Sequence, residues 1–212
     1  LVITISGGIL LKVSVPNDVE FIIDKLESNG YDAYIVGGCV RDLIMELSPN
    51  DWDITTSAKP DDIKSVFNEY KIIDNGEKHG TIGIVINNKV YEITTYRIDG
   101  EYQDSRHPTS VEFTDDIIKD LSRRDFTING ICMDKNENII DVLDGVKDLN
   151  NKIIKVIGDA NIRFKEDKQN GMMNNIGTII TAGIHGGTYD NKLETAPGFT
   201  EAVCHRLFDR RI

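Results

Sequence analysis

Three cysteines, Cys39, Cys132 and Cys204, are all that the 212 residues contain. They make no Cys-x-x-Cys pair and no Cys/His cluster, which excludes a zinc site and a disulfide framework. So sparing a use of thiols fits a reducing cytosol, and a cytoplasmic protein is expected. Long apolar runs are also missing. Nothing approaches the roughly 20 residues of a membrane helix. The apolar stretch at residues 1–11 has neither a basic leader nor a small-residue cleavage site, so no signal peptide is expected. Positive charge is scarce, with 24 Lys and Arg against 35 Asp and Glu and a net charge of -11. Non-specific nucleic-acid binding through overall charge is thereby excluded, because phosphate contacts need clustered cations. A local basic groove inside an acidic shell is still allowed. Nothing in the composition fixes an oligomeric state.

What is present begins with Gly37-Gly38-Cys39-Val40-Arg41-Asp42, followed by Asp51-Trp52-Asp53. A glycine pair at the end of an apolar strand lets backbone N–H groups approach phosphates closely. Arg41 can then pair bidentately with phosphate oxygens, or form an ion pair with its neighbour Asp42. On a strand, Asp51 and Asp53 fall on one face, because side chains alternate with period 2. Glu92, between Tyr91 and Ile93, supplies a third carboxylate on another apolar strand. Three such carboxylates could hold two Mg²⁺ ions roughly 3.5–4 Å apart, as in-line nucleotidyl transfer requires. Hard oxygen ligands favour magnesium over zinc. An isolated Asp-x-Asp is equally what an exposed strand face looks like; the glycines and Arg41 just upstream weigh towards a site. A second cluster, Arg123-Arg124-Asp125-Phe126-Thr127-Ile128-Asn129, combines cations, an acid and an amide able to hold a ribose and a triphosphate. Alone it would also pass for a capped, solvated helix start. The four histidines, His79, His107, His185 and His205, have no partners at ligand spacing.

Periodicity places these motifs. Val19, Ile22, Ile23 and Leu26 mark a helix opened by Pro16-Asn17-Asp18 and closed by Gly30. Residues 31–36 read as a strand, 40–47 as a short helix and 52–56 as a second strand. A further helix starts at Lys59-Pro60, with proline in its first turn. Residues 81–86 and 90–96 form a hairpin across Asn87-Asn88-Lys89. Residues 99–113 show neither period and are expected to be a long loop. Helical segments follow near 115–121 and 125–131, and short strands near 139–143 and 152–156. Few parallel βαβ units are visible, so the class is α+β with a mixed, mostly antiparallel sheet and helices on one side. Residues 169–212 are glycine-rich, balanced in charge and without a convincing amphipathic helix.

In order and spacing these motifs resemble the catalytic head of the class II tRNA nucleotidyltransferases, the bacterial CCA-adding enzyme and poly(A) polymerase family of the polymerase-β-like superfamily. Residues 37–42 with Asp51-Trp52-Asp53 match the family's first motif. Residues 91–97 match the strand of the third carboxylate, 99–113 the flexible loop of the final adenosine step, and 123–129 the ribose-recognition motif. The resemblance implies Gly37, Gly38 and Arg41 at the triphosphate and Asp51 and Asp53 as metal ligands, with Glu92 beside them as a catalytic carboxylate. It also implies Arg124 at the nucleotide, and Asp125 with Asn129 as ribose selectors. Asp167 would bond the incoming base, CTP or ATP, without a nucleic-acid template. Mg²⁺ is the implied cofactor and the tRNA 3′ end the acceptor.

The resemblance assigns residues 1–15 to an N-terminal extension, 16–157 to the head domain and 158–168 to the start of a neck. Residues 169–212 match nothing in the family's neck, body or tail. The family's base-reading Glu-Asp-x-x-Arg reads Glu166-Asp167-Lys168-Gln169-Asn170 here, so an amide replaces the five-donor fork of arginine. The expected activity is CCA addition. The alternatives are A-addition, poly(A) synthesis, or a truncated head that binds NTP and Mg²⁺ without being an enzyme.

Overall fold

The computed structural model describes residues 14–99, 102–104, 107–108, 111–151 and 153–158. Asp167 and Asn170, with the rest of residues 159–212 and all of 1–13, lie outside them.

The first helix, α1 (Asn17–Ser28), buries Val19, Ile22, Ile23 and Leu26, the four positions its periodicity singles out. Its end follows from Gly30, whose φ of 86° is open to glycine at little cost. Gly30 N–H donates to the Glu27 carbonyl and Tyr31 N–H to that of Leu26, closing the last turn with a Schellman pair. The chain then runs through β1 (Ala33–Val36), α2 (Gly38–Ile44), β2 (Asp53–Thr56), α3 (Pro60–Val66) and β3 (Lys71–Ile73). Next come β4 (Thr81–Ile86) and β5 (Lys89–Thr95), joined by Asn87 and Asn88 at φ 49° and 64°. Two successive residues at positive φ match the twist of a tight hairpin, which is why asparagine serves there.

Beyond β5 lie β6 (Arg97–Asp99), β7 (Tyr102–Asp104), β8 (His107–Pro108) and β9 (Val111–Phe113), then α4 (Ile117–Ser122). A 3₁₀ turn, Thr127–Asn129, precedes β10 (Cys132–Met133), β11 (Ile139–Ile140) and α5 (Gly145–Asn150). Seven strands form one sheet in the order β11-β10-β1-β2-β5-β4-β3. Its single parallel pairing is β2 with β5; the other pairs are antiparallel. The mixed, mostly antiparallel α+β class is therefore as expected.

Strand alternation divides the sheet chemically. Ala33, Ile35, Ile54, Ile82, Ile84, Ile93 and Met133 face α1, α2 and α3 and form the main core with Phe67 and Ile63. Burying each large aliphatic side chain contributes about 1.5–3 kcal/mol. On the opposite face Val36 and Cys132 pack under Leu121 of α4. Asp53, Thr55, Glu92 and Thr94 also belong to that second face, one residue out of phase with the core. Among the described residues no helix is long and apolar enough to cross a membrane.

Several boundaries differ from the sequence expectation. Residues 99–113 are not a plain loop: β6 pairs with β9 and β7 with β8. At its β9 end the Phe113 ring lies over Gly80, where a Cβ would come within 2.8 Å of it. The expected helix at 125–131 is only the 3₁₀ turn, and the strand at 152–156 is one bridge between Val156 and Phe126. The helix expected at 40–47 begins earlier, at Gly38, and β2 begins only at Asp53. Strands β3 and β10 and helix α5 are too short to show a period.

Both described cysteines are buried free thiols, and burial pushes Cys39 up to about 11 and Cys132 up to about 12. Their native pKa values exceed that of an unfolded thiol. The stabilisation is therefore full below the unfolded value of about 9 and is lost as pH rises through 11–12. In a Cys204→Ser variant, neither thiol should react with iodoacetamide at pH 8 until denaturant is added. Mass spectrometry of the alkylated protein checks this.

Candidate active site

The turn from β1 into α2 is made by Gly37, at φ 85° and ψ -136°, a conformation that side chains disfavour. A Cβ on Gly37 would come within 3.3 Å of an Arg124 Nη, so the bare backbone lets that guanidinium approach. A Cβ on Gly38 would likewise stand 3.5 Å from Nη2 of Arg41. Arg41 itself is buried. It donates to Asp42 at 2.7 and 3.0 Å and to the Asn129 side-chain oxygen at 2.8 Å. Of the two sequence expectations for Arg41, the ion pair with Asp42 is the one that forms, and the guanidinium also reaches the second motif.

Asn129 passes the connection on. With its oxygen committed to Arg41, its amide nitrogen donates to Asp125 at 3.1 Å, and Phe126 N–H donates to the same carboxylate oxygen at 2.8 Å. Behind this turn Thr127 donates to the buried Asp148 at 2.7 Å. Asp141 accepts from the N–H groups of Gly145 and Val146 and so starts α5. Asp148 and Asp141 were not picked out from the sequence; an aspartate four residues ahead of the glycine that opens a short helix was the available signal for Asp141.

The carboxylates come together by register. Parallel pairing sets Asp53 directly opposite Glu92, both on the face away from the main core. Asp51 stands in the bend before β2 rather than on the strand. As arranged here the three do not form a ready chelate: among the described residues no group of three or more Asp, Glu, His or Cys side chains is placed to hold a metal ion. They nevertheless act on one another. The Asp53 side chain reaches solvent, yet protein crowds it, and loss of hydration raises its pKa above the ordinary carboxylate range. Arg124 opposes that shift, whereas Glu92 and Asp51 add to it. Loss of hydration is the main cause of that shift, and a cation bound there would relieve it together with the repulsion from the two neighbouring carboxylates. Hard oxygens are also the donors that magnesium prefers, so the residues fit that ion.

One residue with no place in the sequence analysis organises the positive side of the site. Asp120 is fully buried. It accepts from Arg123 at 2.9 Å, from Arg124 at 3.4 Å, from the Thr55 hydroxyl at 3.2 Å and from Arg97 N–H at 3.2 Å. An acid three and four residues before two arginines on a helix was the signal for it.

The residues that build this site lie within a stretch that known proteins match. Residues 33–155 match the poly(A) polymerase head domain. A CCA-adding enzyme of Staphylococcus haemolyticus (strain JCSC1435) is 52% identical over 151 residues, which make up 71% of this chain and 37% of that protein. One from Staphylococcus aureus (strain bovine RF122 / ET3-1) is 48% identical over 146 residues, 69% of this chain and 36% of that protein. The Bacillus stearothermophilus CCA-adding enzyme in complex with CTP superposes with a TM-score of 0.67 at 40% identity, covering 78% of this chain and 40% of that one. The Thermotoga maritima CCA-adding enzyme complexed with tRNA shares the fold, with a TM-score of 0.63 at 22% identity and coverage of 95% and 44%. The chain spans little more than a third of the length of the curated relatives it matches.

Proposed function

Since the chain belongs to the poly(A) polymerase head-domain family, we propose that it transfers nucleotides from CTP and ATP to the 3′ end of tRNA. The observation that carries this is the parallel register of Asp53 with Glu92, facing Arg124 at the bare Gly37 turn. Asp51 and Asp53 would hold magnesium, with Glu92 beside them. Bound there, magnesium would neutralise the triphosphate and lower the pKa of the attacking 3′ hydroxyl.

The protein's own groups do the rest. Arg124 brings positive charge to the triphosphate, and the Gly37-Gly38 backbone leaves room for it. Asp125 can accept from a ribose hydroxyl, and Asn129, fixed by Arg41, holds that carboxylate in place. Asp167 would choose the base, by resemblance to the family. Two buried free thiols suit work in a reducing cytosol.

The assay is direct. With tRNA lacking its 3′ end, labelled CTP and ATP should both be incorporated in the presence of magnesium. Incorporation of ATP alone would indicate A-addition, and long adenylate tails poly(A) synthesis. A second reading is favoured by Asn170, where the family has arginine: a head that binds NTP with magnesium but does not extend tRNA. No incorporation above that of an Asp51→Ala, Asp53→Ala control would select it.

A further inference from the structure

We infer that Asp120 is a positioning residue, which aims Arg124 at the nucleotide and locks it to the base of the β6–β9 ribbon without touching substrate itself. Asp120 matters in this way only if the face binds nucleotide, as proposed above.

A carboxylate with no exposed surface is costly unless it is paired and hydrogen-bonded. Arg123 meets much of that need alone: its Nε and Nη2 both lie 2.9 Å from Asp120 Oδ1. The Arg124 contact is of another kind. Nη2 of Arg124 sits 3.4 Å from Oδ2, a weaker hydrogen bond that still sets a full positive charge beside the buried carboxylate. Its consequence is directional. With Nη2 turned to Asp120, Nη1 of the same planar group lies against Gly37, and the charge acts on Asp53. So held, Arg124 waits at the turn in the conformation in which a polyphosphate would meet it. A loose bond to Asp120 is also one that can lengthen as phosphate oxygens take over.

The remaining contacts fix Asp120 in turn. Thr55, on the same face of β2 as Asp53, donates to Oδ2, and the N–H of Arg97, first residue of β6, donates to Oδ1. The Arg97 guanidinium reaches the backbone oxygen of His79, beside the Gly80 on which Phe113 of β9 rests. One carboxylate therefore joins the strand of the catalytic aspartate, the foot of the ribbon and the arginine of the site.

Asp120→Asn keeps the shape and removes the charge. In the full chain it should weaken ATP binding in magnesium about tenfold by calorimetry, a loss typical of one charged contact. Arg124→Lys should weaken it comparably. Combined, the two changes should cost less than about twofold beyond either alone, because Asp120 acts through Arg124. Losses that multiply would overturn the inference and leave Asp120 a core ion pair. Should Asp120→Asn fail to fold, the wild-type protein decides. Slow rotation of the Arg124 guanidinium by ¹⁵N NMR, without nucleotide, is the expected result, and free rotation would refute it. If wild-type protein binds no ATP, the proposed function falls, and the NMR result still decides whether Asp120 holds Arg124.

Discussion

Asp51→Ala combined with Asp53→Ala will abolish magnesium-dependent binding of CTP and ATP and any nucleotidyl transfer. Loss of a single preorganised electrostatic group at a reacting centre typically costs about 10²–10³ in rate. Here two of three carboxylates go, and Glu92 is left without its partners. The companion single change, Asp53→Asn, should separate function from stability. In the free protein, lost hydration, Glu92 and Asp51 all disfavour ionised Asp53. A carboxyl whose native pKa is raised stabilises the fold only while protonated, so at neutral pH its charge works against folding. Asparagine removes that charge. The melting temperature of Asp53→Asn should equal or exceed that of the wild type, while nucleotide binding is lost. Calorimetry with ATP, with and without magnesium, and thermal unfolding of the same samples test both halves. Unchanged magnesium-dependent binding in the double variant would end the metal-site assignment. A marked fall in melting temperature for Asp53→Asn would show instead that the carboxylate is structural.

The largest stability loss from one added methyl is expected at Gly145→Ala. A Cβ there would overlap the carbonyl oxygen of Thr127 and stand 2.8 Å from Ile131 Cγ1. Neither can retreat easily. Thr127 is bonded to buried Asp148, and Asp141 pins the N–H groups that start α5. Overpacking a closed site of this kind costs roughly 3 kcal/mol or more, equivalent to a fall of about 6–12 °C in melting temperature for a chain of this length. The damage should also reach nucleotide binding, since Thr127 opens the turn that carries Asn129. Gly30→Ala is the control: nothing lies within 4 Å of its would-be Cβ, and only its φ of 86° opposes the change. That strain alone costs about 1–2 kcal/mol. Circular dichroism melts of the two variants should therefore differ clearly. Equal melts would mean that the α5 contact relaxes at little cost.

The sequence made α1, the hairpin of β4 and β5, and the glycine pair legible because each carries its own local signal. Leu26 and its companions repeat at helical spacing; Asn87-Asn88 and Gly30 are residues chosen for positive φ. The carboxylates were legible as residues but not as geometry. Asp51 and Asp53 suggested one strand face, whereas β2 begins at Asp53 and its counterpart across the sheet is Glu92. What stayed hidden depends on distant partners. Strands of two or three residues, such as β10 and β3, have no room for a period. The Val111-Glu112-Phe113 alternation of β9 was outweighed by the polar run before it. Asp120 reads from sequence as one more surface acid between Lys119 and Leu121. Only Thr55, Arg97 and the two arginines closing around it reveal a buried residue.

The single parallel ladder of the sheet bears on how the molecule assembles in time. Antiparallel neighbours such as β4 and β5 can pair as soon as their two-residue turn forms, within microseconds. Pairing β2 with β5 must wait, because the chain has to loop through α3, β3 and β4 before Asp53 can reach Glu92. Closures over such a separation are slow and late. A chain still emerging from the ribosome, or one caught half-folded, will therefore hold its hairpin before its carboxylates meet. Longer still is the closure of β1 on β10, where Val36 meets Cys132, so the pairing of Asp53 with Glu92 precedes the completion of the sheet.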